Sequence, residues 1–131
     1  MHTEGDTGAE AAAIGFIGLG HMGAAMAERL LAAGHPLVVY DLQREACARM
    51  QALGAACAAD ARAVAARCAT VFLCLPSPAA SATVCAALCE ALPAAALRTV
   101  VETSTVGPDA VRSLAAALAP HGVALVDAPV S

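Results

Sequence analysis

Ile14-Gly15-Phe16-Ile17-Gly18-Leu19-Gly20-His21-Met22-Gly23 is the stretch that decides the fold. An apolar run breaks there into glycines at Gly-x-Gly-x-x-Gly spacing and then opens an alanine-rich segment, Ala24 to Ala33. A strand that turns directly into a helix against a bound dinucleotide needs this pattern. Gly18 serves the tight turn, Gly20 leaves room for a pyrophosphate, and Gly23 lets the helix pack closely on the strand. The first-turn N–H groups of such a helix have no intrahelical partner, and with the helix dipole they attract phosphate. Eighteen residues past Gly23, Asp41 ends a second apolar run, Leu37-Val38-Val39-Tyr40. In that place its carboxylate accepts hydrogen bonds from ribose hydroxyls. The glycine spacing alone is weak, because turns and small-residue helices produce it by chance. A strand before it, a helix after it and an acid at the end of the next strand make it specific. The competing reading is a structural turn beside a solvated aspartate.

Outward from this segment, helical and extended patterns alternate without an internal repeat or a break in composition. Strands are expected at 13–17, 37–41, 55–58, 70–75, 99–103 and 123–127. Helices are expected at 22–33, 44–53, 60–68, 79–92 and 109–118, with Asp60 as the cap of the third. Short apolar strands separated by crossover helices specify a Rossmann-type α/β fold, a doubly wound parallel sheet of order 3-2-1-4-5-6. Ligands in such sheets lie beyond the carboxyl ends of the strands, so the informative loops follow Ile17, Asp41, Leu75, Thr103 and Asp127. Residues 1–12 are expected to be a disordered lead-in, and 13–131 a nucleotide-binding domain that is incomplete at its C-terminal side.

At 131 residues the chain is large enough for one domain with a core and short for a complete two-substrate enzyme. It is 60% apolar with only 2% aromatic residues, so alanine-lined, closely spaced helices are expected. No span of about twenty residues is free of charge or proline, which argues against a transmembrane helix. The first dozen residues lack the basic start and apolar segment of a secretory signal. A net charge of −4 with only seven basic residues argues against nucleic acid and anionic membranes as partners. The six cysteines contain no Cys-x-x-Cys and no nearby histidine, so no metal site is expected. They read as small buried hydrophobes of a reducing, cytoplasmic protein. His35 and His121 lie at turns and read as solvated.

Taken together, the loops resemble those of the β-hydroxyacid dehydrogenase family, which includes 3-hydroxyisobutyrate dehydrogenase and tartronate semialdehyde reductase and is related to 6-phosphogluconate dehydrogenase. The matching segments are Gly15 to Gly23, Met26-Ala27, Gly34-His35, Leu75-Pro76, Thr103-Ser104-Thr105 with Pro108, and Asp127-Ala128-Pro129-Val130-Ser131. They span nearly the whole chain after its first dozen residues. The resemblance implies that Gly18, Leu19, Gly20, His21, Met22 and Gly23 hold the cofactor with Asp41, with His21 acting through its backbone. It further implies that Leu75 and Pro76 flank the cofactor, that Thr105 approaches the nicotinamide end, and that Ser131 faces the substrate carboxylate. An alternative for Ser104 and Thr105 is a helix cap ahead of Pro108.

The departures from the family pattern are equally informative. The family is expected to use a lysine beyond the nucleotide domain as proton donor, and this chain has no lysine. It ends at Ser131, before the glycines of the substrate loop and before a helical second domain. No catalytic residue is therefore expected in this chain, which alone should be inactive. An asparagine often follows the family's Leu-Pro pair, whereas here Ser77 is the only polar residue near that place. NAD is expected in preference to NADP, because the Asp41 carboxylate would face a 2′-phosphate; Arg44 is the one residue that complicates this choice. The full-length enzyme is expected to act on a short 3-hydroxy acid and to be a homo-oligomer. The principal alternative is a non-catalytic NAD-binding or sensing module. A methyltransferase fits less well, because its glycine spacing is tighter and Leu-Pro-Ser-Pro is not its loop after the fourth strand.

Overall fold

The computed structural model describes residues 13–92 and 96–130. The lead-in assigned to 1–12 and the candidate substrate residue Ser131 lie outside the described residues. In chain order the elements are β1 (Ile14–Ile17), α1 (His21–Ala32), β2 (Leu37–Tyr40), α2 (Arg44–Ala52), β3 (Ala56–Cys57) and α3 (Ala61–Arg67). They continue with β4 (Thr70–Leu73), α4 (Pro78–Glu90), β5 (Thr99–Glu102), α5 (Pro108–Leu118), a 3₁₀ turn over Ala119–His121, and β6 (Ala124–Asp127). The strands form one parallel sheet of order β3-β2-β1-β4-β5-β6. This is the order expected from the sequence. Several elements are a residue or two shorter than the pattern predicts, because ladder bonds stop where the chain turns out toward the loops.

Side chains alternate across the sheet and fill two cores, as a sheet with helices on both faces requires. On one face Ile17, Val38, Val71, Leu73 and Val100 meet Val64 of α3, Leu88 of α4 and Leu118 of α5. On the other, Phe16, Leu37 and Val39 meet Ala27 of α1 and Ala46 and Met50 of α2. Phe16 and Phe72 stack across β1 and β4 with ring centroids 5.8 Å apart. The two phenylalanines thus meet at the centre of the sheet. α3 is capped as expected, the Ala63 N–H donating to Asp60 Oδ1 at 2.9 Å. Ser77 caps α4 in the same way, accepting from the Ala80 N–H at 3.1 Å, with Pro78 at the first helical position.

The cysteines depart from the expectation in degree. Cys68 and Cys85 are buried, while Cys47, Cys57, Cys74 and Cys89 are half-buried, and all six are free thiols. Burial pushes the Cys85 thiol up to about 12, with Cys89 and Glu102 adding to the effect, so it packs as an inert hydrophobe. Among the described residues no three metal-ligating side chains gather into a site, and no helix is long and apolar enough to cross a membrane.

Candidate functional site

The glycine turn sits where the sheet's winding reverses, since β1 pairs with β2 on one side and β4 on the other. Gly18 has φ +103°, a conformation that L side chains rarely adopt, and a Cβ there would overlap the Cys74 carbonyl oxygen. Its N–H donates to the Tyr40 carbonyl at 3.1 Å, and the Cys74 N–H donates to the Ile17 carbonyl at 2.9 Å. The turn is thus held between the ends of both neighbouring strands. A Cβ on Gly23 would overlap the Gly18 carbonyl oxygen, so the first turn of α1 lies directly on the glycine turn. Around Gly20 the situation is reversed, with nothing within 4 Å of where its Cβ would stand.

That open space faces a helix end without a side-chain cap. The first bond closing α1 runs from the Ala24 N–H to the Gly20 carbonyl at 2.8 Å. The amides of His21, Met22 and Gly23 consequently have no intrahelical acceptor and find none elsewhere among the described residues. Asp60 and Ser77 cap α3 and α4 with their side chains, whereas α2 and α5, like α1, begin without a side-chain cap.

Asp41 joins the turn to the end of β2. Its Oδ2 accepts from the Leu19 N–H at 2.6 Å and its Oδ1 from the Gln43 N–H at 2.7 Å. The Leu19 side chain is buried, so that residue contributes a fixed amide rather than a contact surface. A carboxylate offers about four lone-pair sites. With two engaged by amides, the group is locked in orientation and retains acceptor capacity toward the cleft. The sequence reading puts this carboxylate at the end of the second strand, where it lies, but its bonds to the protein's own amides are not visible there.

The loops after β4 and β5 form the opposite wall and are tied together by hydroxyls. Ser104 Oγ accepts from the Leu75 N–H at 2.7 Å, and Thr103 Oγ1 donates to the Leu73 carbonyl at 2.7 Å. The helix-cap alternative for Ser104 and Thr105 is corrected by this geometry. Gly107 holds the cap position of α5 and has no side chain to offer, while the Ser104 hydroxyl is engaged with the Leu75 N–H. Glu102, at the end of β5, is fully buried, and its Oε2 accepts from the Ser104 N–H at 3.1 Å.

The glycine turn, Asp41 and the loops after β4 and β5 border one cleft of about 1710 Å³. Gly18, Leu19, Gly20, His21, Met22, Gly23, Asp41, Leu75, Pro76 and Thr105 line it together, so the structure gathers every candidate it describes. Ser104, Arg49 and Val130 line it too, and the sequence reading did not assign them a place there. Arg44 is exposed and does not line it, whereas Arg49 of α2 does. Unpaired amides beside an unfilled cradle, with an oriented carboxylate at one side, fit a dinucleotide.

Residues 13–131 match the NAD-binding domain of 6-phosphogluconate dehydrogenase. The chain belongs to that family. It is 38% identical over 120 residues to the mitochondrial 3-hydroxyisobutyrate dehydrogenase of Drosophila melanogaster, covering 90% of this chain and 36% of that protein. It is 40% identical over 119 residues to the NAD-dependent L-serine dehydrogenase of Pseudomonas aeruginosa, covering 90% of this chain and 40% of the relative. Among solved structures, Mycobacterium tuberculosis 3-hydroxyisobutyrate dehydrogenase with L-serine superposes with a TM-score of 0.80 at 31% identity, over 92% of this chain and 40% of its own. Solved neighbours also include a complex with NADP+. The chain therefore spans about two fifths of the length of the relatives it matches. The resemblance to β-hydroxyacid dehydrogenases and the Rossmann sheet both agree with these matches.

Proposed function

We propose that this chain is the NAD-binding portion of an oxidoreductase that transfers a hydride between a nicotinamide cofactor and a short 3-hydroxy acid, of the 3-hydroxyisobutyrate or tartronate semialdehyde type. The observation that carries the reading is the bare head of α1 facing the open space at Gly20, with Asp41 oriented by two amides at the same cleft. The amides of His21, Met22 and Gly23 bind the pyrophosphate. The remaining lone pairs of Asp41 accept from the adenosine ribose hydroxyls. Leu75, Pro76 and Thr105 shape the wall toward the nicotinamide. When bound, the cofactor supplies the hydride acceptor or donor. The chain's own residues orient it and keep one wall of the cleft apolar, and no proton donor for the substrate is assigned among them. Alone, the chain is expected to bind and not to turn over.

NAD is preferred over NADP in this reading. A carboxylate about 4 Å from a 2′-phosphate is opposed by roughly 4 kcal/mol per charge pair at an effective dielectric near 20. Asp41→Ala removes the acceptor of both the Leu19 and Gln43 amides. Calorimetric titration with NADH should show the dissociation constant raised about tenfold or more, as loss of hydrogen bonds to a charged group implies. The NADPH constant should rise less. An unchanged NADH constant would remove Asp41 from the site.

The alternative is a non-catalytic NAD-binding or sensing module. Against it stands the edge strand β6, where Val126 is 46% exposed and Val130 beyond it 36%. An exposed apolar edge suits a domain that packs on further structure. Six free thiols support a reducing compartment such as the cytoplasm. The full-length enzyme is read as a homo-oligomer acting on a small hydroxy acid. Size measurement on the purified chain separates the two readings: concentration-dependent association favours the enzyme domain, and a monomer at all concentrations favours the module.

A further inference from the structure

Glu102 is fully buried at the end of β5, and only one of its oxygens is used. Oε2 accepts from the Ser104 N–H, whereas Oε1 has no hydrogen-bond partner among the described residues. The surroundings do not compensate. On α4, Cys85 lies close enough that Glu102 helps to raise its thiol, and Ser81 Oγ is likewise buried without a partner. A half-satisfied buried carboxyl group is a net cost to folding, and an apolar side chain of similar shape would serve stability better. What the group does accomplish is visible one residue on. Ser104, fixed through its N–H by Glu102, uses its hydroxyl to hold the Leu75 N–H at 2.7 Å. Leu75, Pro76 and Thr105 then line the cleft on the side away from Asp41.

We propose that Glu102 is a positioning residue for the nicotinamide half of the cleft, acting through the Glu102–Ser104–Leu75 chain of hydrogen bonds. Resting on the dinucleotide reading above, the inference adds that the two halves of the ligand are held by separable devices. The glycine turn and Asp41 take the adenosine diphosphate end. The buried carboxyl group sets the wall that the nicotinamide meets. Glu102 itself does not line the cleft.

The test compares NADH with ADP-ribose, which lacks the nicotinamide, on the 131-residue chain by calorimetry. Glu102→Leu should melt at or above the wild-type temperature, bind NADH about tenfold more weakly and bind ADP-ribose unchanged. Glu102→Gln, which keeps an acceptor for the Ser104 N–H, should restore NADH binding to near the wild-type value. Ser104→Ala, which removes the hydroxyl and leaves the carboxyl group in place, should reproduce the NADH-only loss. Wild-type NADH affinity in Glu102→Leu or in Ser104→Ala overturns the inference, and so does parallel loss of both ligands or a Glu102→Gln as weak as Glu102→Leu. A Glu102→Leu chain that fails to fold also overturns it, by showing that the carboxyl group is structural. Should the wild-type chain bind neither ligand, the dinucleotide reading itself fails, a result distinct from each of these.

Discussion

Gly20→Ala is expected to leave the fold intact and to lower NADH affinity by roughly a hundredfold. At Gly20 the backbone has φ −65° and ψ −170°, which alanine adopts without strain, and the added methyl meets no protein atom within 4 Å. Stability should even rise by about 0.5 kcal/mol, because alanine narrows the unfolded ensemble. The methyl would instead stand in the cradle before the bare amides of α1. Holding the pyrophosphate away from two charge-assisted hydrogen bonds costs about 3 kcal/mol, and each ~1.4 kcal/mol is tenfold in affinity. Thermal melting and NADH titration of the one variant check both halves of this expectation. A variant that binds NADH like the parent would show that the open space at Gly20 is not where the phosphates lie.

Gly23→Ala should do the opposite, damaging the fold first. Alanine is the better helix former by about 1 kcal/mol, so propensity alone predicts a gain. Its methyl, however, would overlap the Gly18 carbonyl oxygen, and that oxygen cannot retreat. Gly18 is held at φ +103° between the Tyr40 carbonyl and the Cys74 carbonyl oxygen. Something in the backbone must shift, and we expect a net loss of about 3 kcal/mol. For a domain of this size that is roughly 10 °C in the melting midpoint. Circular dichroism melting checks it. An unchanged midpoint would mean that α1 does not press on the glycine turn as described. The two substitutions are chemically identical and three positions apart, so their opposite outcomes separate binding from packing.

The strand–glycine–helix segment and Asp41 were legible from sequence because each carries local information. Periodicity names the elements, and a glycine or an acid at a strand end has few other purposes. The sheet order followed from the alternation of strands and crossover helices after the glycine-rich turn, the pattern of a dinucleotide-binding sheet. What could not be read were the long-range bonds. Ser104 pairs with Leu75 across 29 positions, and the Leu19 amide with Asp41 across 22. Nothing local distinguishes a serine that bridges two loops from one that caps a helix, so the cap before Pro108 was a reasonable expectation that the β4–β5 contact overrode. Glu102 was invisible for a similar reason. The acid lies inside the expected strand 99–103, where nothing local tells whether it meets solvent, and in the structure it is fully buried. Arg49 lies on a helix whose exposed face carries several charges, and only the position of α2 beside the cleft singles it out.

Dinucleotide binding by this chain requires the uncapped amides at the head of α1 to hold phosphate. Amide-resolved nitrogen–proton spectra of the labelled chain, recorded while ADP-ribose and then NADH are added, observe those groups directly. The predicted result is saturable shifts of Gly20, His21, Met22 and Gly23 with both ligands, with Leu75 and Thr105 responding to NADH alone and β6 remaining still. Spectra in which the His21, Met22 and Gly23 amides do not move at saturating NADH would contradict it.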